Sequence, residues 1–587
     1  MSAGTFVTAA MRLVPVKFSG TRSGSGPVTL GQLNVLLWSV DQAVYGAVQC
    51  QALNVAPGRS LDDATRAIGA LVSRHESLRT LFAAGASGEW AQQVMASGEL
   101  LVEVHEADGR LDATEALVKQ RLSAPFALDR EWPVRAAVIT SRGAPARVLL
   151  ALTHVAADFA SLGTIARDLR RLMSNSTRQP PEPPALHPLD QARREMSPMA
   201  RSRAEAAVRY WEATLRGTPQ CMLAVPGHPP ANSGSRMATL HSRAAALALA
   251  RIANRAHASQ SVVILAAVAT LLGLRTVNDR CQITALCANR FTPASRDYVG
   301  TIAQDALIAA DLTAETFDGI IQATRTAALT AYYHGQYDAG SLWQMIGRVS
   351  DDRGTEFHRD CVLNDLNGAA AQVQTGHPGS LPEKGDAANA MRDTRLVWAD
   401  TDPRPLLFYF EVLSLSRHDV SLSVWADQGR FPAAEVEDFL LAVERLLVAA
   451  ESRDVPARDI GELAGISPVL RDASWQRIDS CWVEMPAVQQ LLNDVVASVP
   501  GIQAAQAFCT RDVPSTRTAE SLVAYVSAPG SQITPQILHA QCRQRLAGRP
   551  TAMAPAWYVI CDQAPDDLAR LESWRHLPAR AEGSGRA

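Results

Sequence analysis

The residues of this chain that could carry chemistry begin with His154, which follows a run of apolar residues at 148–152. Asp158 comes four residues later, and a helix-like segment starts at Ser161. A buried strand that delivers a histidine to a loop is a common way to present a general base. The same spacing also fits a hydrogen-bonded core histidine followed by an aspartate that caps a helix, and spacing alone leaves both interpretations open.

Hydrophobic periodicity predicts the elements that must position these residues. The apolar run at 148–152 predicts a buried strand, and 161–172 predicts the helix that follows it. Residues 61–72 place their apolar side chains at helical spacing and predict an amphipathic helix. Further helices are predicted at 204–215, 261–274, 436–449 and 534–546, and further strands at 406–413 and 420–425.

Three stretches have the composition of irregular segments. Residues 1–26 end in a Gly/Ser-rich run and are expected to form a flexible N-terminal segment. The proline-rich residues 179–184 predict an extended linker between two halves of the chain. Residues 366–394, which are rich in Gly, Ala, Asn and Asp, predict a long surface loop.

Composition places the 587 residues among globular proteins, with 47% hydrophobic and 20% charged residues. A net charge of −3 gives no electrostatic footprint for nucleic acid or an anionic membrane. The nine cysteines lack zinc spacing and a disulfide pattern, which indicates reduced thiols and no metal site. The N-terminus lacks an apolar signal segment and no long apolar stretch follows, so the chain is expected to be cytoplasmic.

Several motifs together carry a family resemblance. Residues 74–82 read RHESLRTLF, residues 153–161 read THVAADFAS, and residues 288–290 read ANR. With Tyr210-Trp211, they resemble the motifs of the condensation domains of nonribosomal peptide synthetases, in the superfamily of chloramphenicol acetyltransferase. The resemblance extends over roughly residues 15–465 and is strongest at 74–82.

The resemblance implies an α/β fold with two acetyltransferase-like lobes in a V-shaped pseudo-dimer around a central tunnel. We expect the N-terminal lobe at 27–185 and the C-terminal lobe at 186–465. Residues 466–587, here called the tail, resemble the small C-terminal subdomain of an adenylation enzyme. That subdomain normally supplies a lysine, whereas this chain has no lysine after Lys384. The tail is therefore expected to be a small α/β appendage with a scaffold or docking role.

The resemblance also implies roles for the residues around His154. The family motif is His-His-x-x-x-Asp-Gly, often followed by an aromatic residue and Ser, and its second His, its Asp and the Ser match His154, Asp158 and Ser161. His154 is then the catalytic residue, acting as a base or by orienting the nucleophile. Asp158 is implied to pair with Arg290 and to hold the shape of the loop, with Ser161 as further support.

Two positions depart from the family motif. Thr153 replaces the first His, and its hydroxyl can still donate one hydrogen bond in support of the loop. Phe159 replaces Gly, which is needed where the backbone takes positive φ or where substrate passes close. Phe159 is therefore expected either to change the backbone or to shape the tunnel by filling part of it, which points to an unusual substrate or to lost catalysis.

The implied function is a free-standing condensation enzyme of natural-product biosynthesis. It would join a carrier-bound acyl thioester to an amine or a hydroxyl, in a small molecule or on a second carrier. The chain has no phosphopantetheine-serine motif, so the acyl or peptidyl carrier protein is expected to be a separate partner, with no cofactor bound to the chain itself. The alternatives are a non-catalytic relative that binds a carrier protein or recruits a partner enzyme, and an acyltransferase that uses coenzyme A.

Overall fold

The computed structural model describes residues 11–41, 48–86, 88–174, 184–227, 235–367, 386–404, 406–511 and 520–586. The predicted linker at 179–184 lies outside these ranges apart from residue 184. The predicted loop at 366–394 lies outside them at 368–385, and its last part forms a short helix. Within the described residues, no single helix is long and apolar enough to span a membrane.

The N-terminal lobe consists of helices packed on a mixed sheet. The sheet has the strand order β1-β6-β7-β8-β3, and a small antiparallel sheet has the order β2-β5-β4. The strands are β1 (Arg12–Ser19), β2 (Gly24–Pro27), β3 (Val48–Asn54), β4 (Thr80–Ala84), β5 (Trp90–Val94), β6 (Ser97–Glu106), β7 (Val134–Ser141) and β8 (Ala144–Thr153). The helices are α1 (Leu30–Asp41), α2 (Leu61–Arg74), α3 (Leu111–Leu122) and α4 (Phe159–Met173), with a 3-10 turn at Glu76–Arg79.

The C-terminal lobe repeats this plan around a larger mixed sheet of order β11-β10-β12-β14-β15-β9-β13. The strands are β9 (Arg236–Ser242), β10 (Arg280–Cys287), β11 (Gln304–Asp311), β12 (Cys361–Asp365), β13 (Arg395–Asp400), β14 (Phe408–Leu415) and β15 (Val420–Ala426). The helices are α5 (Pro188–Glu195), α6 (Pro198–Gly217), α7 (Arg243–Arg255), α8 (Gln260–Thr276), α9 (Pro293–Arg296), α10 (Phe317–Tyr333), α11 (Ala339–Arg353), α12 (Ala387–Ala390), α13 (Ala433–Ala449) and α14 (Ile460–Ala464). Short 3-10 turns lie at Met391–Asp393 and Ala457–Asp459.

The tail is a small α/β unit. A hairpin of β16 (Trp475–Ile478) and β17 (Cys481–Glu484) precedes a sheet of order β18-β19-β20-β21. The sheet strands are β18 (Ala504–Thr510), β19 (Ser521–Ser527), β20 (Trp557–Cys561) and β21 (Ala579–Gly583). The helices are α15 (Met485–Ser498), α16 (Pro535–Gln544) and α17 (Leu571–Arg575).

The tail packs against the C-terminal end of α11. Arg353 Nε donates to Asp479 Oδ2 at 2.6 Å, and Arg543 Nε donates to Asp351 Oδ1 at 2.8 Å. Gly354 ends α11 with φ +66°, and its main-chain oxygen accepts from the Ala554 amide at 2.7 Å. A Cβ at Gly354 would lie 2.5 Å from the Ala554 oxygen, so glycine is required here by conformation and by contact.

Each lobe has its own apolar core, and one segment of a neighbouring unit crosses into each. Val299 of the C-terminal lobe packs into the core of the N-terminal lobe, with residues such as Leu150 and Ile165. In the same way, Trp475 from the first strand of the tail packs into the core of the C-terminal lobe. Burial of such side chains stabilises a junction by about 1.5–3 kcal/mol each.

The expectation of a flexible segment over 1–26 is wrong for its described part. Strand β1 pairs along its whole length with β6, and β2 pairs with β5. Val16 and Phe18 are buried because the alternation in β1 turns them toward the core. The N-terminal lobe therefore begins before residue 27.

Candidate active site

His154 is the first residue after β8, in a turn that precedes α4. The residue is half-buried, and its Nδ1 atom is buried without a hydrogen bond to any described residue. Burial lowers the pKa of His154 below its ordinary value, although its own main-chain carbonyl and Asp158 act in the opposite direction. The imidazole is therefore neutral at physiological pH, which is the form that can accept a proton.

Asp158 caps α4 and binds the loop at 299–303, here called the crossing loop. Its Oδ1 accepts from the Ser161 amide at 3.0 Å and from the Ser161 hydroxyl at 2.8 Å. Its Oδ2 accepts from the amides of Ile302 and Ala303, both at 3.3 Å. Asp158 thus caps α4, as its spacing predicts. It also makes the loop-shaping contacts that the family resemblance implies.

Arg290 forms a buried ion pair with Asp158. The Arg290 Nη2 atom lies 2.5 Å from Asp158 Oδ1, and both side chains are almost completely buried. Nη2 also donates to the Ser161 hydroxyl at 2.9 Å and to the Tyr298 carbonyl at 3.2 Å. Through these contacts, the Asp158 carboxylate joins the two lobes and fixes the turn after β8. The carboxylate is buried and is not accessible to a substrate.

The crossing loop holds the turn from the side of the C-terminal lobe. The amide of Gly300 donates to the Ser161 hydroxyl at 3.1 Å. A Cβ at Gly300 would lie 2.3 Å from the Tyr298 hydroxyl oxygen, so the close approach of the Tyr298 side chain requires glycine at this position. The Thr301 hydroxyl donates to the main-chain oxygen of His154. The Thr29 hydroxyl in turn donates to the Thr301 oxygen at 3.1 Å.

The two departures from the family motif have different consequences. Thr153 is buried at the end of β8, where it pairs with Val48, and its hydroxyl makes no hydrogen bond to a described residue. Phe159 is the first residue of α4, is not at positive φ, and has 50% of its surface exposed. An ordinary helical start accommodates any side chain at this position, and the expectation that Phe159 changes the backbone relative to the family stays a prediction. That its ring narrows the tunnel stays a prediction.

The strongest sequence motif, residues 74–82, supports the site without reaching it. His75 is buried, and its Nε2 lies 3.1 Å from Asp168 Oδ2 of α4. Arg74 Nε donates to the same oxygen at 2.8 Å. Ser77 donates its hydroxyl hydrogen to the main-chain oxygen of Ala156, within the turn that carries His154.

Sequence reasoning missed three residues around the site. Thr301 and Thr29 lie far apart in sequence, and no spacing rule connects either of them with His154. Glu195 accepts from the Leu30 amide at 2.8 Å, at the start of α1. Burial raises the pKa of Glu195 to about 7, against the effect of its hydrogen bonds from Gln191 and Leu30. A single glutamate at the end of α5 gives no sequence signal of such burial.

Comparison with known proteins identifies the fold around this site. The model of the Condensation domain family matches residues 48–375, which include the turn at His154, Arg290 and the crossing loop. The chain belongs to the condensation-domain family. This shows the family that the motifs at 74–82, 153–161 and 288–290 predict.

Curated relatives of this condensation domain are large synthetases. The nonribosomal peptide synthetase CymA of Salinispora arenicola is 29% identical over 339 residues, which are 52% of this chain and 4% of CymA. The phosphinothricin tripeptide synthetase PhsC of Streptomyces viridochromogenes is 29% identical over 298 residues, which are 47% of this chain and 27% of PhsC. The chain thus spans about a quarter or less of the length of these relatives.

Solved structures show the same fold. The SgcC5 protein of Streptomyces globisporus aligns with a TM-score of 0.54 and 20% identity, over 73% of this chain and all of SgcC5. The X-domain from teicoplanin biosynthesis aligns with a TM-score of 0.57 and 18% identity, over 77% of this chain and 99% of the X-domain. At these identities the likeness shows the α/β condensation fold and leaves the reaction to be argued from the site.

Proposed function

We propose that this chain is a condensation-type acyltransferase that joins a carrier-bound acyl thioester to an amine or a hydroxyl. The acyl group would arrive on the phosphopantetheine arm of an acyl or peptidyl carrier protein. In this proposal, His154 acts as the base or orients the nucleophile. Asp158, Arg290 and Ser161 act only as supports of the turn.

The observation that carries the proposal is the state of His154. His75, a buried histidine of the scaffold, pairs its Nε2 atom with Asp168 at 3.1 Å. His154 is instead neutral, half-buried and without a hydrogen bond at Nδ1 to any described residue. Rigid contacts hold its turn on both sides, and such contacts support a group that must meet a substrate in a fixed orientation.

The proposed reaction balances without a cofactor. The nucleophile attacks the thioester carbonyl, and the C–S bond breaks as the new C–N or C–O bond forms. His154 takes the proton from the nucleophile and returns it to the leaving thiolate, so the products are the amide or ester and the free pantetheine thiol. A positioned base contributes about 100- to 10,000-fold to such a step.

The test is product formation by intact mass, with acyl-loaded carrier protein and a panel of amines and alcohols. His154→Ala should fold like the wild type and lose transfer by about 100-fold or more. His241→Ala is the matched control, because His241 is a partly exposed histidine of β9 far along the chain from this turn, and it should transfer normally. Wild-type transfer that survives in His154→Ala would refute the role of His154.

A second candidate function is a non-catalytic condensation relative that recruits a carrier or an enzyme. It is favoured by Phe159 and Thr153, where the family motif has Gly and His. One aligned structure is described as a complex of the X-domain with OxyB from teicoplanin biosynthesis. Absence of transfer in both the wild type and Phe159→Gly, together with measurable carrier binding, would support this candidate over catalysis. Transfer from acyl-coenzyme A but from no carrier would support the third alternative.

A further inference from the structure

We propose that Thr301 is a positioning residue for His154, and that it makes the geometry of the imidazole depend on contact between the two lobes. This inference rests on the proposed function and deepens it. His154 belongs to the N-terminal lobe, whereas Thr301 belongs to the crossing loop of the C-terminal lobe. The hydroxyl of Thr301 reaches the main-chain oxygen of His154 across this junction.

The contact is at a main-chain acceptor that acts on the His154 ring. The Nδ1 atom of His154 has no hydrogen-bond partner among the described residues, yet its own main-chain carbonyl interacts favourably with the charged ring. Which nitrogen carries the proton in a neutral histidine is set by what the other nitrogen meets. By holding this carbonyl, Thr301 favours the proton on Nδ1 and leaves the Nε2 lone pair for the nucleophile.

Thr301 is itself fixed by burial and by contacts with neighbouring residues, so it would not shift with the His154 side chain. Its side chain is buried, and its main-chain oxygen accepts from Thr29 at 3.1 Å. Gly31 packs on the same peptide so closely that a Cβ there would lie 2.5 Å from the Thr301 oxygen. Val299 anchors the loop in the core of the N-terminal lobe. Thr301 is therefore the fixed reference, and His154 is the group that it orients.

Thr301→Val tests this role with nearly unchanged side-chain volume. We expect kcat to fall about five- to tenfold, the effect of one neutral hydrogen bond, with KM changed less than twofold. Thr301→Ser should restore most of kcat because it restores the hydroxyl. Thr140→Val is the matched control, since it removes a buried hydroxyl that also donates to a main-chain oxygen, that of His105 at 3.1 Å, at the end of β8 opposite to His154. It should cost similar thermal stability and leave kcat unchanged.

A second readout does not depend on turnover. In protein with ¹⁵N-labelled histidine, the ring signals that disappear in His154→Ala belong to His154. We expect one neutral tautomer in the wild type and a mixture in Thr301→Val, with Thr140→Val like the wild type. Unchanged ring signals and unchanged kcat in Thr301→Val would overturn the proposal. If no substrate is transferred by the wild type but the ring signals shift, the proposed function fails while the positioning role stands.

Discussion

His75 and His154 are held in opposite ways. His75 lies in the motif that matches the family best, is buried, and is paired with Asp168. His154 lies in the motif that departs from the family, and its Nδ1 atom has no partner among the described residues. The comparison teaches that the best-matching motif of this chain builds the scaffold. The altered motif presents the residue that remains available for chemistry.

The largest expected effect is at the ion pair behind His154. Arg290→Ala leaves Asp158 buried without a cation and should lower the free energy of unfolding by about 3–5 kcal/mol. Arg74→Ala is the matched change at the His75 cluster, where Asp168 keeps His75 and Arg167 as partners, and it should cost clearly less. Denaturant unfolding measures both.

Equal losses of unfolding free energy in these two variants would contradict the contrast between the two sites. They would show that Asp158 and Asp168 depend equally on their arginine partners. If Arg290→Ala does not fold, Arg290→Lys keeps a positive charge beside Asp158. Among the described residues, only the Nη2 atom of Arg290 makes hydrogen bonds, so the lysine variant should recover part of the lost stability.

A smaller effect is expected from acid at the His75 cluster. Burial would raise the pKa of Asp168, but hydrogen bonds from His75 and Arg74 outweigh it and lower the pKa to about 2. This carboxylate therefore contributes stability that is present above its ordinary pKa of 3.8 and lost as the pH falls toward 2. The contribution is about 2 kcal/mol.

Asp168→Asn tests the direction of this pH dependence of stability. The variant should be less stable than the wild type at pH 6, and the difference should shrink by about 2 kcal/mol toward pH 2. Unfolding by urea at several pH values measures it. A difference that stays constant with pH would show that the loss comes from packing alone.

An effect of comparable size is expected at Glu195, whose titration overlaps the range in which activity would be measured. Its pKa of about 7 lies above the ordinary 4.5, so the contribution of Glu195 to folding stability is greatest below pH 4.5 and declines as the pH rises through 7. Glu195→Gln keeps an oxygen for the Leu30 amide and removes the titration. The variant should be more stable than the wild type at pH 8, by roughly 1 to 3 kcal/mol, and not at pH 4.

Glu205→Gln, at an exposed position of α6, is the control and should show no such pH dependence. The same Glu195→Gln protein sharpens the comparison of the two histidines. A pH–rate inflection that remains in it belongs to a group other than Glu195, with His154 as the candidate. An inflection that disappears belongs to Glu195, and would leave no kinetic sign of His154.

Much of the fold is readable from the sequence because its elements are strongly periodic. The helix predicted at 61–72 is α2 (Leu61–Arg74), and the helix predicted at 261–274 is α8 (Gln260–Thr276). Strand β1 lies within the segment predicted to be flexible. Val14, Val16 and Phe18 alternate in its sequence, but the Gly/Ser-rich run that follows is the stronger local signal.

The site is only partly readable from the sequence. Spacing points to His154 and Asp158, and the family resemblance implies the pairing of Asp158 with Arg290, which lie 2.5 Å apart in the structure. The contact of Thr301 with His154 joins residues 147 positions apart and depends on how one lobe rests on the other. No local pattern encodes such a contact, so only the folded chain reveals it.

The seating of the tail on Gly354 determines where this chain can be recombined with another. A joint placed near residue 466 would separate Arg353 from Asp479 and Arg543 from Asp351, and would remove Trp475 from the core that it fills. An incoming tail would also have to donate a main-chain amide to the Gly354 oxygen and to place its own main-chain oxygen where a Cβ of residue 354 would lie, as Ala554 does. A chimera that takes the two lobes without the tail is therefore disfavoured. The lobes and the tail are expected to be exchanged together.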